Sequence, residues 1–198
     1  MAKRRAFCVG INDYPYDGSD LKGCVNDAHE WAGVLRKTYG FDDITIVLDA
    51  DATKKRIIDG LKDLLAGAAA GDALVFTNSS HGSYKADTSG DEAYDQVLCP
   101  YDVGDNEIVD DELRSLFENA PEGVRLTVVL DNCFSGTGTR VGDEVRAFDD
   151  RRVRFLDPAV RGGRQLQRPS SAHRKGELHP ESAMKEVLLT GCNDRQYA

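Results

Sequence analysis

Two short polar stretches in this 198-residue chain carry side chains able to do nucleophilic chemistry together. Asn78-Ser79-Ser80-His81-Gly82-Ser83 follows the apolar run Ala73 to Thr77, and Asp131-Asn132-Cys133-Phe134-Ser135-Gly136 follows the strand-like run Arg125 to Leu130. A histidine and a cysteine suffice for acyl transfer. Imidazole holds the thiol as a thiolate, the thiolate attacks a carbonyl carbon, and the imidazolium then protonates the leaving amine. Gly82 and the backbone at Cys133 supply N–H groups able to approach the developing oxyanion, a large share of the rate in such reactions. Alone, either His81 or Cys133 reads as an inert core group. Together, each just past a strand, they read as a catalytic pair.

The elements that must position this pair are visible in the pattern of apolar residues. Arg5 to Ile11 reads as a strand, ended by the turn-rich Asn12-Asp13-Tyr14-Pro15-Tyr16-Asp17-Gly18. Asn26 is the expected N-cap of a helix carrying Ala28, Trp31, Ala32, Leu35 and Tyr39 and stopping at Gly40. Ile44 to Leu48 is a second strand, and Thr53 caps a helix whose apolar face is Ile57, Ile58, Leu61, Leu64 and Leu65. After the strand Ala73 to Thr77 comes an acidic loop with a short strand around Val97 to Cys99. Asp110 is the expected cap of a helix with Leu113, Leu116 and Phe117.

Residues 140–182 show no sustained periodicity and read as a long linker with a short hairpin near Val153 to Leu156; Glu186 to Thr190 is a last strand. Strands alternating with amphipathic helices imply an α/β fold: one domain over residues 1–198, with a mostly parallel sheet covered by helices on both faces. Sites in such sheets lie at the carboxyl ends of the strands, which sets His81 and Cys133 on one edge.

Composition narrows the function. The net charge of −9 and a pI near 4.9 argue against a nucleic-acid binder held by phosphate contacts. Charge is also unevenly spread: Asp87 to Glu112 holds ten acids and no Lys or Arg, whereas Arg140 to Lys175 holds ten basic residues and five acids. An acidic body with a basic insert suits cation or basic-substrate handling. No run approaches the eighteen or so apolar residues of a membrane span. The five cysteines have no paired C-x-x-C spacing, so reduced thiols in a soluble, cytoplasmic protein are expected. Cys8, Cys99 and Cys192 read as core thiols, and His29, His173 and His179 as surface residues.

With these motifs in view, the chain resembles a metacaspase, of the caspase-like cysteine peptidases. Gly10-Ile11-Asn12 with Leu21-Lys22-Gly23-Cys24-Val25-Asn26-Asp27-Ala28 resembles the family's first-strand and first-helix signature. Ser79-Ser80-His81-Gly82 resembles its histidine motif, with Ser80 where Gly is usual, and Asp131-Asn132-Cys133-Phe134-Ser135-Gly136 resembles its nucleophile motif. The 52-residue spacing from His81 to Cys133 suits the caspase-like arrangement, and the animal-caspase Q-A-C-x-G pentapeptide is absent. The resemblance runs from about Arg5 to Ala198 and is closest to bacterial-type members.

It implies a caspase-like fold and a first specificity pocket that takes Arg or Lys. The pocket residues it implies are Asp27, Asp131, Ser79 and Cys24; two carboxylates in a partly dry pocket favour a guanidinium or ammonium. It also implies a Ca²⁺ site at Asp95, Asp110 and Asp111, whose hard oxygens suit that ion. Asp110 and Asp111 read equally as a helix N-cap pair, and a further family aspartate has Arg140 at its place. The expected function is a cysteine endopeptidase acting on proteins or peptides with Arg or Lys, with self-cleavage somewhere in Arg140 to Lys175. The rival from another class is a silent binding module that keeps the fold. The family continues past the strand at Glu186 to Thr190 with a further helix and strands, so truncation within the small-subunit region is expected; oligomeric state is not legible.

Overall fold

The computed structural model describes residues 2–86, 94–104, 106–132, 154–161 and 186–190. Its framework is a five-stranded parallel sheet in the order β2-β1-β3-β7-β8. These strands are β1 Arg4–Gly10, β2 Asp43–Leu48, β3 Ala73–Ser79, β7 Arg125–Asp131 and β8 Val187–Thr190. The helices are α1 Cys24–Tyr39, α2 Lys54–Leu65 and α3 Asp110–Glu118. The expected α/β architecture, a mostly parallel sheet with helices on both faces, is therefore the observed one. Among the described residues no helix is long and apolar enough to cross a membrane.

Alternation along β1 builds two cores at once. Ala6 and Cys8 face one side, where they pack with Ala28, Ala32 and Leu35 of α1; Phe7 and Val9 face the other, with Ile57 and Leu61 of α2 and Leu113 and Phe117 of α3. Phe7 stacks on Phe76 with ring centroids 5.8 Å apart. Cys8 and Cys99 are buried core thiols as expected, and burial raises the Cys8 pKa above its ordinary value. His29 is exposed; Cys192, His173 and His179 lie outside the described residues.

Thr53 caps α2 as the sequence suggests, its Oγ1 accepting from the Arg56 N–H at 3.3 Å. Two other cap assignments are corrected. Helix α1 starts at Cys24, so Asn26 lies within its first turn, and Gly23 stands at the cap position in the left-handed region with φ 100° and no side-chain bond. The orphan N–H groups go instead to a residue in the loop just after β1: Asn12 Oδ1 accepts from Cys24 N at 2.9 Å and Val25 N at 3.4 Å. Helix α3 starts at Asp110 itself, with Val109 as its cap residue.

A second, antiparallel sheet was legible only in its middle member, since the strand expected around Val97 to Cys99 is observed over Tyr94–Leu98. It joins β4 Gly82–Ala86, β5 Tyr94–Leu98 and β6 Ile108–Val109. The hairpin expected near Val153 to Leu156 is also corrected. Val153 lies outside the described residues, and Phe155 instead forms a parallel bridge with Gly82, followed by a 3-10 turn over Pro158–Arg161. The rest of the expected linker lies outside the described residues.

One glycine is required by close approach. A Cβ on Gly10 would stand 2.3 Å from the Cys24 carbonyl oxygen, against helix backbone that cannot yield as a side chain tip would. Gly10→Ala is expected to destabilise the fold by about 1–3 kcal/mol, the usual range for overpacking, read from the urea midpoint.

Candidate active site

Parallel register brings the two chemical motifs together. β3 pairs with β7 so that Ser79 stands opposite Asp131, and these residues lie two positions before His81 and Cys133 respectively. Cys133 itself lies outside the described residues, as does Arg140.

His81 is 4% exposed and firmly oriented. Its Nε2 lies 2.7 Å from the Ser19 carbonyl oxygen. A carbonyl only accepts, so Nε2 carries the proton and Nδ1 is the basic nitrogen of the neutral ring. Tyr14 supports the same ring from the side, with centroids 4.9 Å apart. The Tyr14 hydroxyl donates to the Cys99 carbonyl at 2.8 Å and accepts from the His81 backbone N–H at 3.2 Å. Burial raises the Tyr14 pKa well above its ordinary value, which keeps the phenol protonated as this donation requires.

Beneath the histidine lies a closed amide network. Asn132 Nδ2 donates to the Ser80 carbonyl at 2.7 Å and to Ser80 Oγ at 2.8 Å, while Asn78 Nδ2 donates to Ser80 Oγ at 2.9 Å and to Asn132 Oδ1 at 3.1 Å. All three residues are at most 2% exposed. The hydroxyl of Ser80 thus accepts from both amides and donates to the His81 carbonyl at 3.2 Å, which ties the histidine loop to the end of β7. Asn132→Ala leaves buried oxygens without these donors and is expected to cost about 1–3 kcal/mol of stability, read by urea denaturation.

The expected pocket residues also converge. Asp27, in the first turn of α1, accepts from Ser79 Oγ at 2.8 Å. Its position follows from the capping chain below it. Asp49, at φ 42°, accepts from the Asn12 N–H at 2.7 Å, and Asn12 in turn holds the α1 terminus. Cys24 is fully buried in the same wall, and burial raises its pKa. Between Asp27 and Asp131 lies a guanidinium that the sequence did not single out, that of Arg154. Its Nη2 donates to Asp27 Oδ2 at 2.7 Å; its Nη1 donates to Ser79 Oγ at 2.7 Å and to the Asp131 carbonyl at 3.3 Å, and pairs with the Asp131 carboxylate. Burial opposes the Arg154 charge, but Cys24, Asp131 and Asp27 facing it outweigh that and raise its pKa. The Gly82 N–H, expected as an oxyanion donor, donates to the Arg154 carbonyl oxygen at 2.8 Å.

The three carboxylates of the expected calcium site are less gathered. Asp95 is a buried residue of β5, and Asp110 and Asp111 open α3; Asp111 pairs with Arg114 at 3.0 Å. Calcium takes six to eight oxygens, and among the described residues no group of three or more ligating side chains gathers. Six residues that act at the site were not assigned there from sequence: Asn12, Tyr14, Ser19, Asn78, Asn132 and Arg154. For Asn78 and Asn132 the available signal was an amide near the carboxyl end of each of two buried strand runs.

Comparison with known proteins places this geometry in a family. The family described as metacaspase, peptidase C14 domain, matches residues 4–141, short of the extent to Ala198 expected from the motifs. Metacaspase-7 of Arabidopsis thaliana is 40% identical over 146 residues, covering 69% of this chain and 35% of that protein. Metacaspase-1 of Cryptococcus neoformans is 37% identical over 147 residues, covering 68% and 32%. The chain thus spans about a third of the length of these curated relatives. A crystal structure of a Geobacter sulfurreducens protein superposes with a TM-score of 0.73 at 26% identity, covering 98% of this chain and 75% of that one.

Proposed function

This chain belongs to the metacaspase family of C14 peptidases, and on that premise we propose that it is a cysteine endopeptidase cutting after Arg or Lys. The observation that carries the specificity is the closure of Asp27, Ser79 and Asp131 around the Arg154 guanidinium. In this reading Cys133 passes its thiol proton to Nδ1 of His81 and its sulfur adds to the scissile carbonyl carbon. The oxyanion is held by the Gly82 and Cys133 N–H groups. His81 then gives the proton to the leaving nitrogen as the C–N bond breaks. Water activated by the same ring hydrolyses the thioester and restores the thiol.

The bond from Nε2 to the Ser19 carbonyl supports this sequence, because it fixes the tautomer whose basic atom is Nδ1 and stabilises the imidazolium that forms. A reducing compartment such as the cytoplasm suits it, since Cys133 must stay a thiol. Self-cleavage in the basic segment and activation by Ca²⁺ at Asp95, Asp110 and Asp111 complete the reading. The first rests on the basic residues of that segment together with the specificity above, and the calcium site on the resemblance alone. Repeating the assay with a chelator tests the metal: lost rate supports it and unchanged rate removes it.

The discriminating experiment against a silent binding module is covalent labelling of the Arg154→Gln protein, whose pocket is free of its own guanidinium, with a peptidyl-arginine chloromethylketone followed by peptide mapping. Selective modification of Cys133, suppressed in His81→Ala, is expected. Labelling spread over Cys8, Cys24 and Cys99, or none at all, overturns the peptidase reading.

A further inference from the structure

We infer that residues Arg154 to Leu156 are bound in the site as the protein's own internal substrate, and that Arg154–Phe155 is the bond offered to the nucleophile. This rests on the peptidase reading above and assigns one bond where the basic segment offers ten Arg and Lys residues. Three independent observations fix the register.

The Arg154 side chain fills the pocket that would take the residue before the scissile bond, held by Asp27, Ser79 and Asp131. Its carbonyl oxygen is 2.8 Å from the Gly82 N–H, the donor that would hold the oxyanion formed from that same carbonyl. A basic side chain bound merely by charge need not bring its own carbonyl to that donor. The residues after the bond are also engaged. Leu156 N donates to the Gly82 carbonyl at 2.9 Å, Ser83 Oγ donates to the Leu156 carbonyl at 2.7 Å, and Phe155 lies against Gly82 in a parallel bridge.

Side chains reinforce this backbone pairing. The Phe155 ring stacks on Tyr84 at 5.9 Å with planes 20° apart, and Leu156 is 3% exposed within the larger core. Strand β4 therefore reads the leaving half of the chain by strand addition: main-chain bonds align it, and an aromatic followed by an aliphatic side chain fits it. Until the bond is cut, Arg154 competes with any other basic substrate at an effective concentration that free peptides cannot match.

The covalent step balances within the chain and one water. Cys133 sulfur bonds to the Arg154 carbonyl carbon while the thiol proton goes to His81. The bond from that carbon to Phe155 nitrogen breaks, and the nitrogen takes the proton from His81 as a new amino terminus. Water then adds to the thioester, leaving Arg154 with a carboxylate and Cys133 as a thiol.

Amino-terminal sequencing and intact mass of the purified full chain test this. The unaltered chain is expected to yield a fragment beginning at Phe155, while Arg154→Gln stays whole at that bond and cuts an added Arg-reporter peptide without a lag. A second measurement reads the pocket without hydrolysis. Benzamidine is expected to bind Cys133→Ala/Arg154→Gln about ten-fold or more tightly than Cys133→Ala alone, by calorimetry. Reporter cutting with no Phe155 terminus, or equal benzamidine affinities, overturns the internal-substrate assignment and leaves the peptidase reading standing. No reporter cutting by any form overturns the peptidase reading itself, and the cleavage assignment with it.

Discussion

Cys133→Ala is expected to lower kcat/KM for an Arg-terminated reporter peptide by at least about 10⁴-fold, the scale on which removal of an attacking group acts in hydrolases of this type. The size follows from what remains. Without the sulfur no thioester forms, and only the Gly82 N–H and the pocket contacts remain to favour attack by water. His81→Ala should cost nearly as much, and the double variant little more than either alone, because nucleophile and base act as one unit. The measurement is steady-state hydrolysis with far-ultraviolet circular dichroism confirming the fold. Cys133→Ala removes only the sulfur atom, so a folded, inactive protein is the expected outcome. A variant within ten-fold of the unaltered protein contradicts the assignment of Cys133.

Asp27→Ala carries the second large effect. Asp27 Oδ2 accepts both from a guanidinium nitrogen at 2.7 Å and from Ser79 Oγ at 2.8 Å, so removing it leaves the basic side chain one carboxylate short and Ser79 without its acceptor. Hydrogen bonds to charged groups are worth about 1.5–3 kcal/mol, and loss of a partly buried charge partner adds to this, so kcat/KM on an Arg reporter should fall about 10²-fold or more. The comparison belongs in an Arg154→Gln background, where the internal guanidinium no longer competes for the same acid. Arg should also suffer more than Lys, since a planar fork spans two acceptors where an ammonium is a point charge. Equal losses on Arg-terminated and Lys-terminated reporters, with a lowered urea midpoint, would assign Asp27 a structural role instead.

What the sequence revealed of this site depended on whether the determining contact was local. The continuous apolar runs at Arg5, Ala73 and Arg125 read as buried parallel strands because both faces of that sheet are covered, and the motifs following two of them marked the site's edge. Thr53 read correctly because its cap bond closes within three residues. The start of α1 was misplaced because the side chain that satisfies its first N–H groups, Asn12, is twelve residues away in sequence, in the loop after β1. Strand β4 was hidden because Gly82–Ala86 has no long alternating pattern and pairs across a segment whose acids read as a loop. Arg154 was one basic residue among ten, and only folding sets it apart from Arg151, Arg152 or Arg161. Asn78 and Asn132 look like ordinary polar ends of strands; their role emerges only when β3 and β7 lie side by side.

The most direct measurement of the central claim is cleavage of a peptide library that differs only at the scissile residue, run in parallel with the unaltered protein and with Cys133→Ala. Cutting confined to Arg and Lys, absent in the Cys133→Ala protein, is the predicted result. Faster cutting after Asp than after Arg, or undiminished cutting by Cys133→Ala, would contradict it.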